Sequence, residues 1–553
     1  MHYHISRKSI CSQYIQIKLL ISCHQGEPIH LQLAAWRPGR YELTNYAQKI
    51  RGFQVKLENK PVYWYKKTKD LWFFTATETG EYQIDYEFYC NQMDAGGCWS
   101  DDRQLYLNFS NFVFEVKEKS ASPISVSMDI PEDYQVATAL PENGQGIWEA
   151  SGYQHLMDSP LLAAAGLQHH SYSIQSHTFH LWFHGDIHFD MPTLIEDFKA
   201  FTEKQIMAFG EFPAENYHFI FQLLPYRHYH GVEHAYSTVI TYGPAEDLKE
   251  KAARDELMGV SSHELYHFWN VCRIRPKELC TYNLATETYL DTGLVLEGVT
   301  SYMGDLFLLQ SGYFSKTDYL KILQKQIQKE ADHEGWKNLN IQESSFDLWL
   351  DGYKPGIPDR KVSIYNRGAL IALCLDIILL PEGACLSAVM KKMWDVFGRT
   401  KMGYHIQDFY EMLKSASNNS TAFVYFWDHY VVGKGDLLVP LSKLLDKIGI
   451  AIIQEVHENE FLHNYGIRKD EEGKVLQVHQ EADAYGKIMI NDLIVDVPSE
   501  LQSKSGNSIT IGLERLGRKL NTSIQSGEKR FYPLIKLQET GSSQFGEIWE
   551  KGQ

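Results

Sequence analysis

The sequence predicts a multidomain α+β protein, and three stretches of different periodicity carry that prediction. A chain of 553 residues is too long for one core, because domains usually hold about 100–200 residues. Residues 1–170 alternate polar and apolar side chains, residues from about 190 to 440 repeat apolar side chains at helical spacing, and the remainder alternates again. The hydrophobic fraction of 44% and the charged fraction of 22% are those of a globular chain.

The first 170 residues predict a β-sandwich. Seven segments show period-two alternation with β-branched or aromatic side chains, as strands do: YIQIKL, HLQLAAW, FQVKLE, LWFFTAT, YQIDYEFY, LYLNFSNFVFEV and ISVSMDI. Two packed sheets are the usual way in which so many short strands close around a core.

The middle of the chain predicts helices around a few strands. HTFHLWFHGDIHF at 177–189 is a candidate first strand, and YHFIFQLLP is short enough to be a buried one. Helical spacing appears in DMPTLIEDFKAFTEKQIMAFGEF, EDLKEKAARDELMGVSSHELYHFWN and DTGLVLEGVTSYMGDLFLLQSG, and Gly312 is the expected stop of the last one. From about residue 450 the pattern of strands returns, in IAIIQEV, KVLQVHQ, LIVDV, SITIGLERLG and LNTSIQ.

Charge and cysteine usage exclude several classes of protein. A net charge of −17 without any basic run argues against binding to nucleic acid. No stretch approaches the roughly 20 apolar residues of a membrane span, and no signal-peptide core is present. The eight cysteines form no CxxC pair and predict free thiols, hence a reducing, cytoplasmic location: 11, 23, 90, 98, 272, 280, 374 and 385.

His263 and His267 lie four residues apart in HELYH, within a stretch of helical periodicity. Residues at i and i+4 share one helix face, so both imidazole rings can bind the same ion. Glu264 follows the first histidine and is placed to act as a general base toward water in that site. Zinc suits this set, which predicts one Zn²⁺ per chain, although cobalt or manganese also fits it.

A third ligand decides between a metal site and a chance HExxH pattern. Glu297 follows in LVLEGVTSY, on a stretch otherwise rich in Leu, Val, Met and Phe. A carboxylate on such a stretch is costly to bury unless it is paired or binds metal, so we predict Glu297 as the third ligand. The alternative is an exposed Glu on the wet face of a helix. Asp305, on the same face, is either a partner that orients a ligand histidine or an ordinary solvated side chain.

Longer segments around these residues resemble a known family. HELYHFWNVCRIRPKEL at 263–279 and LEGVTSYMGDLFL at 296–308 resemble the zinc helix and the EGxTxY helix of the glycyl aminopeptidases, which are gluzincin metallopeptidases. AAWRPGRYELTNYAQKI at 34–50 resembles the W-x-PG-x-Y signature of the same family. The resemblance extends over essentially the whole chain.

The resemblance implies an order of four domains. Residues 1–170 are then an N-terminal β-sandwich, residues 171–310 a thermolysin-like zinc catalytic domain, residues 311–445 a helical domain and residues 446–553 a PDZ-like domain. A PDZ-like module either binds an extended peptide along a sheet edge or is a structural appendage without a ligand.

Two further roles are implied by the resemblance. HGVEHAYST at 230–238 is similar to the family's Gly-Gly-x-Glu-His element, which implies that Glu233 binds the free amino group of the substrate. SIYNRGALIALCLD at 363–376 is similar to a Tyr-x-Lys-Gly element, which implies that Tyr365 hydrogen-bonds the oxyanion, with Arg367 in place of the lysine. From the sequence alone, Glu233 is more simply an exposed loop residue. The histidines at 228, 230 and 234 suggest either a second metal or surface packing.

The function implied is that of a zinc aminopeptidase removing N-terminal residues, small ones such as Gly or Ala, from peptides. Two alternatives stay open. One is an endopeptidase with the same zinc chemistry, and the other is a peptide-binding protein that acts through its C-terminal module. The intact set of His263, Glu264, His267 and Glu297 argues against the second alternative.

Overall fold

The N-terminal part consists of strands in three sheets. The computed structural model describes residues 1–497 and 508–552. A seven-stranded sheet has the order β14-β12-β1-β2-β8-β4-β5, and two four-stranded sheets have the orders β13-β15-β10-β9 and β11-β3-β7-β6. The strands are β1 His2–Arg7, β2 Tyr14–Cys23, β3 Pro28–Leu33, β4 Ile50–Leu57, β5 Lys60–Pro61, β6 Trp64–Thr68, β7 Leu71–Thr75, β8 Gly80–Tyr89, β9 Trp99–Ser100, β10 Gln104–Leu107, β11 Phe114–Val116, β12 Ile124–Met128, β13 Tyr134–Thr138, β14 Ile147–Ala150 and β15 Leu161–Ala165.

Aromatic side chains join two of these sheets face to face. Phe53 of β4 lies 5.4 Å from Trp72 of β7 and 5.9 Å from Phe114 of β11, between ring centres. Tyr86 of β8 adds a contact of 5.0 Å with Phe114. All seven predicted segments contain a strand, and their alternation turns one row of side chains into this shared core.

A five-stranded sheet follows, in the order β16-β17-β18-β20-β19. Its strands are β16 Gln168–Ile174, β17 His177–His184, β18 Asn216–Leu223, β19 His228–Glu233 and β20 Ser237–Gly243. β17, β18 and β20 are parallel, while β19 pairs antiparallel with β20 at the edge. The edge strand β19 faces the helix of the HELYH segment and carries Glu233 at its end.

Helices pack around this sheet and continue to residue 447. They are α1 Tyr153–Met157, α2 Met191–Phe209, α3 Lys251–Tyr266, α4 Thr300–Gln310, α5 Lys316–Ala331, α6 Ile341–Phe346, α7 Leu348–Asp351, α8 Asn366–Leu379, α9 Leu386–Met393, α10 Ile406–Ala416, α11 Thr421–Phe426 and α12 Leu438–Lys447. α2 begins at Asp190, whose carboxylate accepts a hydrogen bond from the Thr193 amide at 3.0 Å. α4 ends at Gln310, two residues before Gly312, which has a φ of +84° as a helix stop requires.

The C-terminal residues form strands again, and these strands belong to two different cores. Strands β22 Ile467–Lys469, β23 Val475–Val478, β24 Leu493–Asp496, β25 Ser508–Arg515 and β26 Arg518–Gln525, with α13 Glu460–Tyr465, enclose a small core of their own. We call residues 460–532 the C-terminal module. In contrast, β21 Ile450–Glu455 pairs with β27 Leu534–Glu539, and α14 Gln544–Lys551 inserts Trp549 into the main core.

The predicted multidomain α+β fold is confirmed, with its β-rich N-terminal part, helical region and C-terminal strands. The four domain boundaries stay predictions, and residues 498–507 and 553 of the proposed PDZ-like segment lie outside the described residues. All eight cysteines have free thiols. In the described chain no single helix is long and apolar enough to cross a bilayer. One pair bent by 100°, Asn366–Glu382 with Leu386–Gly398, meets the length and composition of a span.

Candidate active site

Two helices bring His263, His267 and Glu297 together. His263 lies in the last turn of α3 and His267 at its C-cap, while Glu297 lies in a π-helical turn, Leu294–Val299, that leads into α4. The Nε2 atoms of the two histidines are 3.0 Å apart, and each lies 3.5 Å from Oε2 of Glu297. Gly304 of α4 allows this packing, since a Cβ there would lie 3.0 Å from Cα of His263.

The ring of His267 is oriented by the backbone that follows it. Its Nδ1 donates to the carbonyl oxygen of Asn270 at 3.1 Å, which leaves Nε2 facing Glu297 and His263. The side chain of Asn270 in turn donates to the Val295 carbonyl at 2.7 Å and to Thr300 Oγ1 at 2.9 Å. Asn270 therefore links the two segments that carry the three side chains.

The three side chains fit a zinc ion. Their ligand atoms all lie within 4.8 Å of one another. Ligand atoms about 2.1 Å from a tetrahedral ion are about 3.4 Å apart, close to the separations found here. Within the described part of the chain, Oε2 of Glu297 is buried and has no hydrogen-bond partner. Two imidazole nitrogens and one carboxylate are the donor types that zinc takes in catalytic sites.

Glu264 and Glu233 are two further buried carboxyl groups beside this set. A ligand atom from each, together with one from His267, forms a second group within 4.8 Å. Gly231 of β19 makes room for Glu264, because a Cβ at that glycine would collide with the Glu264 carboxylate. In the described chain, Oε2 of Glu264 has no hydrogen-bond partner. Glu233 is 8% exposed and is the last residue of β19. The exposed loop position expected from the sequence alone is therefore wrong.

Burial and neighbouring charges shift the pKa values of these carboxyl groups in opposite directions. Burial raises the pKa of Glu264 well above its ordinary value, and Glu233 and Glu297 add to that rise against the effect of His267. Burial likewise raises the pKa of Glu233. Burial alone would also raise the pKa of Glu297, but the imidazoles of His267 and His263 outweigh it and hold that pKa low. Glu297 is thus the anion of the group, while Glu264 and Glu233 take up a proton more readily.

Tyr365 lies next to His263, at the N-cap of α8. Its ring centre is 6.5 Å from that of His263, and burial raises the pKa of its phenol. Arg367, two residues later, does not point to this site. It is 1% exposed, and its guanidinium donates to Glu330 and, at 2.7 Å, to the Gly435 carbonyl. The positive charge in this motif is therefore used in the helical core.

A loop of the N-terminal sheets reaches the site, which the sequence did not predict. The indole of Trp36 donates to the carbonyl oxygens of Asn283 and Thr286 at 3.1 and 2.8 Å. A Cβ at Gly39 would lie 2.5 Å from Oε2 of Glu233. The motif W-x-PG-x-Y was visible in the sequence, but nothing in it indicated a place against Glu233.

The neighbouring histidines do not form a second metal centre among the described residues. His230 Nδ1 is 3.8 Å from Asp94, while His234 Nδ1 is 3.0 Å from Asp158. The two candidate metal groups in residues 1–497 and 508–552 contain neither of them. Asp305 accepts a hydrogen bond from Gln326 at 3.3 Å rather than orienting a ligand histidine.

Two family models and several solved structures are similar to this chain. The family models for the peptidase M61 N-terminal domain and for M61 glycyl aminopeptidase match residues 2–165 and 256–371, together just over half of the chain. The crystal structure of an aminopeptidase N family protein from Idiomarina loihiensis covers 99% of both chains at 23% identity, with a TM-score of 0.89, which shows the fold.

An M1 zinc metallopeptidase from Deinococcus radiodurans aligns at 14% identity over 77% of this chain and 93% of its own, with a TM-score of 0.46. No curated protein matches the sequence. On the two family models, the chain belongs to the M61 glycyl aminopeptidase family and is a metallopeptidase.

Proposed function

We propose that the protein is a zinc-dependent aminopeptidase that removes single residues from the N-terminus of peptides. The observation that carries this proposal is the convergence of two imidazole nitrogens and one carboxylate oxygen beside two further buried carboxyl groups. One set suits a metal ion and the other suits proton transfer and an ammonium group.

His263, His267 and Glu297 would hold the ion, one per chain. When bound, zinc supplies Lewis-acid chemistry, making water more acidic and polarising the carbonyl of the peptide bond. Asn270 supports the ligands from behind, since it accepts the N–H of His267 through its carbonyl oxygen and ties the segment of Glu297 to the same point.

Glu264 is the proposed general base and acid. A carboxylate whose pKa is raised by burial takes a proton from water more readily than an ordinary one. Its free Oε2 has no competing hydrogen bond within the described chain, so it is available to the attacking water. The same carboxyl group then gives this proton to the leaving amine. Glu264 therefore ends each turnover in the protonation state in which it began.

Glu233 is the proposed clamp for the substrate's amino group. A buried carboxylate is costly without a cation beside it, and the ammonium of a peptide N-terminus would supply that cation. Because Glu233 and Glu264 lie in one group, binding the ammonium there places the first peptide bond next to the proton acceptor. An acetylated N-terminus carries no charge and gains nothing from Glu233.

Tyr365 is the proposed donor to the oxyanion that forms when the carbonyl is attacked. Its pKa is raised by burial, so the phenol keeps its proton and can donate it in a hydrogen bond. The preference for small first residues such as Gly or Ala, and peptides as the substrates, follow from the family resemblance. The eight free thiols support the cytoplasm as the place of action.

The experiment that tests the proposal uses alanyl and glycyl peptides, each offered free and N-acetylated, with metal content measured on the same protein. Cleavage of the free forms alone, lost in Glu264→Gln at unchanged metal content, supports the aminopeptidase. Equal cleavage of acetylated peptides points to an endopeptidase instead. Removal of the metal by a chelator is expected to lower the Tm, because an ion that binds the folded state stabilises it, and added zinc should restore both Tm and activity.

A further inference from the structure

The C-terminal module is fixed against the helical region by polar contacts. Arg468 Nη2 lies 2.8 Å from Asp332 Oδ1, just after α5, and the amide of Gln477 donates to the Asp332 carbonyl at 2.9 Å. His479 Nε2 lies 3.5 Å from Glu334 Oε1 in the same loop. The module therefore presents one defined face to the rest of the molecule.

A cavity of about 890 Å³ lies where that face meets the helical region. Leu476, Gln477 and Ile490 of the module line one side, and the loop after α7 lines another through Ile357. Its volume is within the range of about 300–1,000 Å³ that is typical of ligand sites. Three apolar side chains in it remain accessible, with Ile357 66%, Leu476 49% and Ile490 38% exposed.

The cavity is also lined by charged side chains, in a molecule whose net charge is −17. Five cations line it against two acidic residues: Lys329, Lys354, Arg360, Lys361 and Arg468 against Glu330 and Asp359. Four of the five pair with acidic residues outside the lining: Lys354 with Glu42, Arg360 and Lys361 with Asp351, and Arg468 with Asp332. Of the five, only Lys329 forms no such pair among the described residues. Lys329 is exposed at the wall formed by α5.

The same cavity reaches one of the proposed catalytic residues. Tyr365 lines it, and so does Ser301, which follows Glu297 by one helical turn. A peptide held by Glu233 at its N-terminus and cleaved between Glu264 and Tyr365 would have to continue past Tyr365. The cavity lies next to Tyr365, is partly apolar and has Lys329 in its wall.

We propose that this cavity binds the part of the peptide that follows the cleaved bond, and that Lys329 in its wall favours an acidic residue or a free carboxylate there. The C-terminal module is then a wall of the substrate site. The proposal rests on the peptidase mechanism above for its substrate, and it goes beyond it by assigning a second binding region and a preferred charge.

Kinetics on substrates with and without a downstream chain test the apolar wall. Alanine p-nitroanilide has no further residues, whereas Ala-Ala-Ala-Ala-Glu has four. The double variant Leu476→Ser/Ile490→Ser is expected to raise KM for the pentapeptide about tenfold, since two apolar contacts are lost, and to leave kcat/KM for the anilide within about twofold. Leu520→Ser, a leucine of β26 that is 37% exposed and outside the lining, is the matched control and should change neither.

A second pair of variants, both at lysines of α5, tests the charge preference. Lys329→Gln is expected to reduce the preference for Ala-Ala-Ala-Ala-Glu over Ala-Ala-Ala-Ala-Lys amide by about threefold, while Lys325→Gln, one turn earlier on α5, keeps it. Equal effects of the cavity variants on the anilide and on the pentapeptide, or no effect on either, would overturn the proposal.

Calorimetric titration distinguishes a failure of this proposal from a failure of the proposed function. Glu264→Gln protein is titrated with Ala-Ala-Ala-Ala-Glu, with and without the double substitution in the cavity. If the native protein cleaves no substrate, the proposed function fails, but weaker peptide binding after the double substitution still supports the cavity. Unchanged peptide affinity in that background rejects the cavity as the binding region whatever the activity.

Discussion

Buried carboxyl groups at the active site differ in charge because their neighbours differ. Glu297 faces two imidazole rings and keeps a low pKa, whereas burial, with Glu297 nearby, raises the pKa values of Glu264 and Glu233. A ligand for a cation and an acceptor for a proton thus come from the same side-chain type. At the scale of single residues, the environment rather than the amino acid decides which role each glutamate takes.

Tyr365→Phe is expected to lower kcat about a hundredfold with little change in KM, because the lost hydroxyl would donate to the oxyanion but not to the bound substrate. Tyr353→Phe is the matched control. Tyr353 is another buried phenol near Glu297, but its oxygen already accepts the Tyr41 amide at 3.1 Å. Steady-state kinetics on one alanyl peptide check this, with metal content measured in parallel. An equal loss in both variants would contradict the role of Tyr365.

Arg367→Met is expected to destabilise the protein by about 3–5 kcal/mol, since it leaves the carboxylate of Glu330 buried without its cation. Thermal unfolding of the variant and of Arg367→Met/Glu330→Gln measures this, and the second change should recover much of the Tm. A loss of activity at unchanged Tm would instead place the Arg367 charge at the active site.

The sequence predicted those site residues whose geometry is local. The i, i+4 spacing of His263 and His267 is a property of one helix, and Glu297 was conspicuous as a carboxylate on an apolar stretch. The contribution of Asn270 depends on how two segments pack, so no spacing indicated it. The burial of Glu233 depends on the edge strand β19 and on a loop nearly two hundred residues earlier in the chain.

At the scale of elements, period-two alternation found the strands well, because each buries one row of side chains. The seven N-terminal segments and the five C-terminal ones all contain strands. Alternation cannot state which strands pair across a long distance. Therefore the pairing of β21 with β27, and the return of α14 to the main core through Trp549, were not predicted.

A histidine stack on the five-stranded sheet gives one element a dependence on pH. His180 of β17 and His218 of β18 have ring centres 4.5 Å apart, and His169 Nε2 lies 3.0 Å from His180 Nδ1. Trp182 donates to Nδ1 of His218 at 3.1 Å. Burial, with the neighbouring histidines, lowers the pKa of His218 to about 3. The folded sheet therefore keeps His218 neutral under conditions in which an unfolded chain would protonate it.

Stability is accordingly expected to fall as the pH drops below about 6.5, where the unfolded chain begins to bind a proton that folded His218 refuses. His218→Asn keeps a polar side chain for the Trp182 indole and removes the titration. Between pH 7 and pH 5 the variant should lose about 2 kcal/mol less stability than the native protein. Denaturant unfolding at the two pH values measures this. Equal losses in both proteins would show that His218 does not contribute.

At the scale of the whole molecule, the site is assembled from separate parts of the chain. The β-rich N-terminal part contributes the loop 36–41, the five-stranded sheet contributes Glu233, and two helices contribute the proposed metal ligands. The backbone at Gly39 lies against the Glu233 carboxylate with no space for a side chain. The loop therefore fixes the position of Glu233, the proposed amine clamp, although the loop belongs to the N-terminal sheets and Glu233 to the five-stranded sheet.

Gly39→Ala tests this coupling, because the added Cβ would lie 2.5 Å from Glu233 Oε2 and one of the two groups must move. We expect kcat/KM for free alanyl peptides to fall about tenfold, and the discrimination against N-acetylated peptides to fall with it, since displacing Glu233 weakens only substrates that carry an ammonium. Kinetics on the free and acetylated pair measure both quantities on one protein preparation.

The backbone strain of this substitution needs its own control, because Gly39 has a φ of +75°, where alanine costs about 1–2 kcal/mol. Gly26→Ala provides it: Gly26 has a φ of +81° in the same N-terminal part, and a Cβ there meets nothing within 4 Å. If both variants lose stability but only Gly39→Ala loses discrimination, contact with Glu233 is the cause. If Gly26→Ala and Gly39→Ala change stability and discrimination equally, the loop affects the enzyme only through folding. The position of Glu233 then does not depend on contact with Gly39.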